Sequence, residues 1–170
     1  MSGRTISLAT LVRSAAGAAA FVIGTAVAAA AAPHAGDVAP AFAVPRTNGG
    51  TFSSISLRGK AAYLNFFASW CGPCNEEAPD VARLYAKYRS RKLSMVGIDE
   101  QEDASKAKGF AAKYRWPFPI VVDGGDMARD YGAVGLPVHV FIGRDGKVST
   151  YRLGEMSTPD IEAALRKILQ

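Results

Sequence analysis

The sequence predicts an α/β domain of three layers, a mixed central sheet flanked by helices, with an N-terminal hairpin as an extension. Two observations carry this. Apolar runs of strand length alternate with stretches of helical spacing between residues 61 and 131, the habit of parallel strands joined by helices. The pattern then changes: two strand-like runs straddle Arg144-Asp145-Gly146, a hairpin signature, and one more helical stretch follows. No internal repeat and no second domain is visible.

Residues 1–35 read as a signal peptide or an N-terminal membrane anchor. Arg4 and Arg13 form a positive n-region, Ser14 to Ala32 carries no charge, and small-x-small sites recur before Pro33. Roughly 20 apolar residues would suffice for a span. Against a strong span, 11 of the 19 residues from Ser14 to Ala32 are Ala. No cysteine follows the apolar run, which excludes a lipoprotein anchor. Either way the domain of residues 36–170 is expected to work outside the cytoplasm, in the periplasm or its equivalent.

Phe42-Ala43-Val44 and Thr51-Phe52 flank Asn48-Gly49-Gly50, which supplies the positive-φ residues of a tight connection. Ser54 to Leu57 is at most one helical turn, ended by Gly59. Ala61 to Ala68 is apolar on both faces except at Asn65, as a central strand should be. Glu76 to Arg89 places Ala78, Val81, Ala82, Leu84, Tyr85 and Tyr88 at helical spacing. Leu93 to Ile98 is a second buried strand, closed by the acidic stretch Asp99 to Asp103. Asp103 to Tyr114 reads as a helix ended by Trp116-Pro117, Ile120 to Val122 as a short strand, and Met127 to Tyr131 as a short helix. Val138 to Ile142 and Lys147 to Leu153 are the hairpin strands. Thr158-Pro159-Asp160 caps a last helix running to Leu169.

Composition narrows the function. The formal net charge is +5, and the leader holds two of those positives with no acid, leaving 5 − 2 = +3 elsewhere. The single basic cluster, Arg89 to Lys92, is a solvated helix end rather than a nucleic-acid patch. Both cysteines of the chain lie in Trp70-Cys71-Gly72-Pro73-Cys74, between a strand and a helix. A Cys-x-x-Cys pair there is a redox arrangement. The helix N-terminus stabilises a thiolate on Cys71, and the thiolate is the nucleophile of thiol–disulfide exchange. Cys74, one turn on, shares the helix face and can attack the mixed disulfide that results. A zinc site would need two more ligands, and the only histidines are His34 and His139.

The block Asn65 to Cys74, Glu77 with Pro79 behind it, the Gly135-Leu136-Pro137 turn before a strand, and the Arg144-Asp145-Gly146 hairpin together resemble the thioredoxin fold. Within it, they resemble the exported TlpA/ResA-type thiol–disulfide oxidoreductases. The resemblance covers residues 36–170. It implies a thioredoxin-like domain with Cys71 as the exposed attacking thiol and Cys74 as the shielded resolving thiol. It also implies Trp70 beside the dithiol, although a core aromatic would look the same in sequence. Pro137 should be a cis-proline facing the dithiol, leaving a backbone edge at Leu136 where an extended substrate can pair.

Protons must move when a buried thiol becomes a thiolate. Where thioredoxin carries an aspartate this chain has Asn65, which cannot titrate. Glu77 stands three residues after Cys74 on the same helix face, and the resembled family uses a glutamate at this spacing. Pro79 lies inside the helix and should kink it. Trp116-Pro117-Phe118-Pro119 is either a rigid apolar connector or the lining of a substrate groove.

The family implies an enzyme that reduces disulfides of other exported proteins, such as apocytochrome c or copper-site cysteines. A membrane thiol electron donor would resupply it, with no cofactor beyond the redox-active Cys71–Cys74 disulfide. His139 departs from the family pattern after Pro137. It could titrate beside the dithiol, be packed and hydrogen-bonded, or join Cys71 and Cys74 in a copper chaperone module. A peroxidase would need Pro and Thr where Leu64 and Ala68 stand, so that reading is rejected.

Overall fold

The computed structural model describes residues 31–170. Of the leader expected over residues 1–35, residues 1–30 therefore lie outside the described residues, among which no helix is long and apolar enough to cross a membrane. From Gly36 the chain joins the sheet: the Gly36 N–H donates to the Val148 carbonyl at 2.8 Å, and the Val148 N–H donates to the Asp37 carbonyl at 2.8 Å. Strands β1 (Ala43–Pro45) and β2 (Thr51–Ser53) then pair antiparallel. Their connection carries Gly49 and Gly50 at φ of 96° and 73°, a conformation that L side chains rarely adopt. A 3-10 turn, Ser54–Leu57, follows.

Strand β3 (Ala61–Phe67) is buried at every residue and feeds α1 (Gly72–Tyr88). Then come β4 (Leu93–Glu100), α2 (Ala104–Lys113), β5 (Ile120–Asp123), α3 (Asp126–Asp130), β6 (Val138–Ile142), β7 (Val148–Leu153) and α4 (Thr158–Ile168). The five-stranded sheet has the order β5-β4-β3-β6-β7. β3, β4 and β5 run parallel, β6 pairs antiparallel with β3, and β7 pairs antiparallel with β6. This is the three-layer α/β architecture with its hairpin extension that the sequence predicts.

Of the boundaries that differ from expectation, two have a clear physical reason. The cap of α4 is Ser157, one residue earlier, because its hydroxyl is the group that accepts the Asp160 N–H. β4 does not close at Ile98. β3 and β5 pair it on both sides as far as Phe67↔Asp99 and Glu100↔Asp123, so two acids of the expected strand end become interior residues.

The sheet has two apolar faces. Tyr63, Phe67, Met95 and Phe141 lie with the buried sides of α1 and α4 and with Phe110 of α2. Leu64, Phe66, Ile98 and Val140 lie with Met127, Tyr131, Val44 and Phe52. Trp116 and Phe118, 7% and 5% exposed, belong to the first core, as a rigid apolar connector would. Trp116, with Ile120, explains Gly97: a Cβ there would stand 2.9 Å from both Ile120 Cδ1 and Trp116 Cζ3. Pro79 lies inside α1, which continues to Tyr88.

Candidate active site

The sharp end of β3 delivers the dithiol. Cys71 is the N-cap of α1, in extended conformation, and the Cys74 N–H donates to its sulfur at 3.2 Å. An amide of the helix terminus thus points at the atom whose negative charge the chemistry requires. Pro73, in the first turn, gives up an N–H that has no intrahelical partner. Cys71 and Cys74 form a disulfide with Cα atoms 5.3 Å apart.

In this oxidised form Cys71 is not the exposed member of the pair. Both cysteines are 4% exposed. The reason is the turn itself: the Cys71 N–H donates to the Ala68 carbonyl at 3.1 Å, and its sulfur is held by Cys74 through both a covalent bond and an amide. The exposed neighbour is Trp70, at 69%, which removes its reading as a core aromatic. Pro137, joined to Leu136 by a cis peptide bond, directly precedes β6.

The turn is clamped by residues that sequence reading passed over. Glu102 accepts the Ser69 N–H at 2.6 Å and the Ser69 hydroxyl at 2.7 Å. The Asn75 amide donates to the carbonyls of Ser69 at 3.0 Å and Cys71 at 2.8 Å. Its oxygen accepts from Tyr114 at 2.7 Å and Lys113 at 3.1 Å. The only sequence signal was a polar residue directly behind the motif.

Glu77 is buried, 6% exposed, one turn beyond Cys74. Its Oε1 accepts the Met156 N–H, and its Oε2 lies 3.3 Å from His139 Nε2. His139, fully buried, sits opposite Asn65 in the β3–β6 ladder. Its Nδ1 is 2.7 Å from the Tyr63 hydroxyl and 3.3 Å from Asn65 Nδ2. Asn65 Nδ2 also donates to the Tyr63 oxygen at 3.1 Å. Burial raises the Tyr63 phenol well above its ordinary range, with Glu77 adding to the shift, so it stays an O–H donor. The His139 side chain is packed in the interior with a hydrogen-bonding contact at Nδ1. Each of its ring nitrogens faces a protein group, and among the described residues no group of three His, Cys, Asp or Glu side chains is placed to hold a metal ion.

Comparison with known proteins agrees with this geometry. The model of the AhpC/TSA family matches residues 35–151. A thiol-disulfide oxidoreductase ResA of Bacillus thuringiensis subsp. konkukian (strain 97-27) is 34% identical over 134 residues, 78% of this chain and 78% of that protein. Among solved structures, a thiol:disulfide interchange protein, a thioredoxin family protein from Chlorobium tepidum TLS, superposes with a TM-score of 0.71 at 31% identity, covering 82% of this chain and 99% of that one. A secreted disulfide oxidoreductase of Mycobacterium tuberculosis, homologous to E. coli DsbE, superposes with a TM-score of 0.69 at 28% identity, covering 74% of this chain and 95% of the other.

Proposed function

Since the chain belongs to the AhpC/TSA family and is a thiol–disulfide oxidoreductase, we propose that it serves as a dithiol reductant of disulfides in other exported proteins. The observation that carries this reading is the Cys74 N–H on the Cys71 sulfur at the head of α1, with buried Glu77 one turn further on.

In the reduced form the Cys71 thiolate attacks one sulfur of the substrate disulfide, and the other substrate sulfur leaves as a thiolate. Glu77 takes the proton of the Cys74 thiol. The Cys74 thiolate then attacks the Cys71 sulfur, releasing the second substrate thiolate and closing the enzyme disulfide. The substrate gains two electrons and, with the proton from Glu77 and one from water, two protons. No cofactor is involved. The cis-proline turn would offer its backbone to an extended substrate segment beside exposed Trp70. Reduced haem-attachment cysteines of apocytochrome c, or copper-site cysteines, fit as products. A membrane thiol carrier would return the electrons, and the leader, as signal peptide or anchor, would place the domain outside the cytoplasm.

Equilibrating the protein against glutathione and dithiothreitol buffers tests the direction. A potential near that of thioredoxin, about −270 mV, is expected; one near −120 mV, that of a strong oxidant, reverses the assignment.

A further inference from the structure

The strand pair β3–β6 places three polar side chains on the face that α1 covers: Tyr63, Asn65 and His139. Tyr63 and Phe141 belong to the apolar core beneath α1, and Asn65 and His139 occur at the same alternation on the two strands. A fully buried imidazole in such a place has its proton position decided by its neighbours. The Asn65 amide nitrogen can only donate, and it approaches both the Tyr63 oxygen and His139 Nδ1. The Tyr63 oxygen accepts from Asn65, which leaves the Tyr63 O–H free to donate to Nδ1. Two donors therefore converge on Nδ1, and a proton there would face both of them. The ring proton must sit on Nε2.

Nε2 is the atom that meets the catalytic helix, 3.3 Å from Glu77 Oε2. The contact lacks the alignment of a formed hydrogen bond, and neither atom has another polar partner among the described residues. A small rotation of either side chain would align it. We propose that His139 is the positioning residue of Glu77, locked by Tyr63 and Asn65 in the tautomer that presents an N–H to the carboxylate. With the Met156 N–H on Oε1, each oxygen of Glu77 then has its own donor, and the carboxylate is held in one orientation, one turn from Cys74. The inference rests on the reading of Glu77 as the proton acceptor of Cys74.

His139 holds rather than shuttles. Both it and Tyr63 are fully buried, so no proton reaches solvent through the ring. The opening lies on the other side of Glu77, where a cleft of about 140 Å³ is lined by Glu76, Asp80 and Glu155 together with Glu77 itself. The groups facing Glu77 are thus Tyr63 from β3, His139 from β6, the cysteines, Glu76 and Asp80 from α1, and Glu155 from the segment before α4. Arg152, opposite His139 in the β6–β7 ladder, is exposed.

The tautomer is tested directly. Long-range 1H–15N correlation spectra of the reduced protein at neutral pH should show Nε2 protonated and Nδ1 bare for His139; the other tautomer, or an imidazolium, overturns the proposal. The function is tested by single-turnover reduction of a synthetic peptide carrying one disulfide, from pH 5 to 9. Glu77→Gln comes first: a wild-type profile in that variant removes the reading of Glu77, and the inference with it. If Glu77→Gln abolishes the pH-dependent limb, His139→Leu should lower the rate at pH 7 about tenfold and move the profile about one unit upward, since losing a donor disfavours a buried carboxylate. His139→Gln, which can return an N–H near the Nε2 position, should recover most of the loss. Tyr63→Phe should fall between. An unchanged profile in Tyr63→Phe and His139→Leu overturns the inference and leaves the reading of Glu77 standing. Should His139→Leu fail to fold, Tyr63→Phe and the tautomer decide.

Discussion

Two sets of buried acids lie in this domain, and their surroundings differ. Glu77, on α1, accepts the Met156 N–H at Oε1, and its Oε2 lies 3.3 Å from His139 Nε2. Asp99 and Glu100, at the end of β4, are buried to 0% and 7% exposure among other acids. Burial pushes Asp99 up to about 7, with Glu102 beside it adding to the shift. Burial pushes Glu100 up to about 8, with Asp123 next in effect. Both Asp99 oxygens and one of Glu100 lack a hydrogen-bond donor among the described residues. Depth is nearly the same in the two places; the neighbours differ. An N–H donor favours the charged form of the carboxylate it meets, whereas burial beside other acids without such donors favours the protonated form.

The comparison breaks most plainly in the kinetics of the resolving step. Glu77→Gln should slow reduction of a disulfide peptide about a hundredfold, within the range of general acid–base contributions. Asp99→Asn, which keeps the shape and a neutral group, should stay within about threefold of wild type. Stopped-flow measurement of both variants checks this. Equal losses in the two would mean that burial, and not the donor set, selects the acid that acts.

Thermal stability sharpens the other half. The unfolded chain releases the protons of Asp99 and Glu100 near pH ~3.9 and ~4.3. The folded chain holds them until about 7 and about 8, so between those values it binds more protons than the unfolded chain. Their stabilisation is complete below the unfolded values and is lost as pH rises through the folded ones. The disulfide form, whose cysteines do not titrate, should therefore melt about 5–10 °C lower at pH 9 than at pH 5.5, on the order of 3 kcal/mol of stability. The double substitution Asp99→Asn with Glu100→Gln should flatten the dependence in scanning calorimetry. A wild-type slope in that variant assigns the proton elsewhere.

What the sequence revealed and what it withheld follow the reach of each interaction. The strands, the dithiol and Glu77 are legible because alternation, the Cys-x-x-Cys spacing and the helical step from Cys74 to Glu77 are local. The interior position of Asp99 and Glu100 is not, because it depends on β5 arriving alongside β4; on its own the acidic run reads as a strand end. The partners of His139 are hidden for the same reason: Asn65 is 74 residues away and adjacent only through the β3–β6 register. Tyr63 looked like one more apolar strand residue, although it shares a strand face with Asn65. The burial of Cys71 depends on the closed turn and the disulfide around it, which composition does not encode.

Glu102 tests whether the two acid sites are separate at all, because it touches both the acid cluster and the dithiol turn. It accepts two hydrogen bonds from Ser69, two residues before Cys71, while standing beside Asp99. Glu102→Gln keeps one acceptor oxygen but turns an NH2 group towards a Ser69 donor. One hydrogen bond to a buried charged group is lost, about 1–2 kcal/mol, or roughly 2–6 °C in Tm. The two Asn75 hydrogen bonds to the Ser69 and Cys71 carbonyls still hold the turn, so the peptide-reduction rate should change less than about threefold. Removing the charge beside Asp99 should also shallow the alkaline loss of stability. If Glu102→Gln instead slows reduction as far as Glu77→Gln does, the geometry of the turn limits the rate, and the division between a working acid and a structural one disappears.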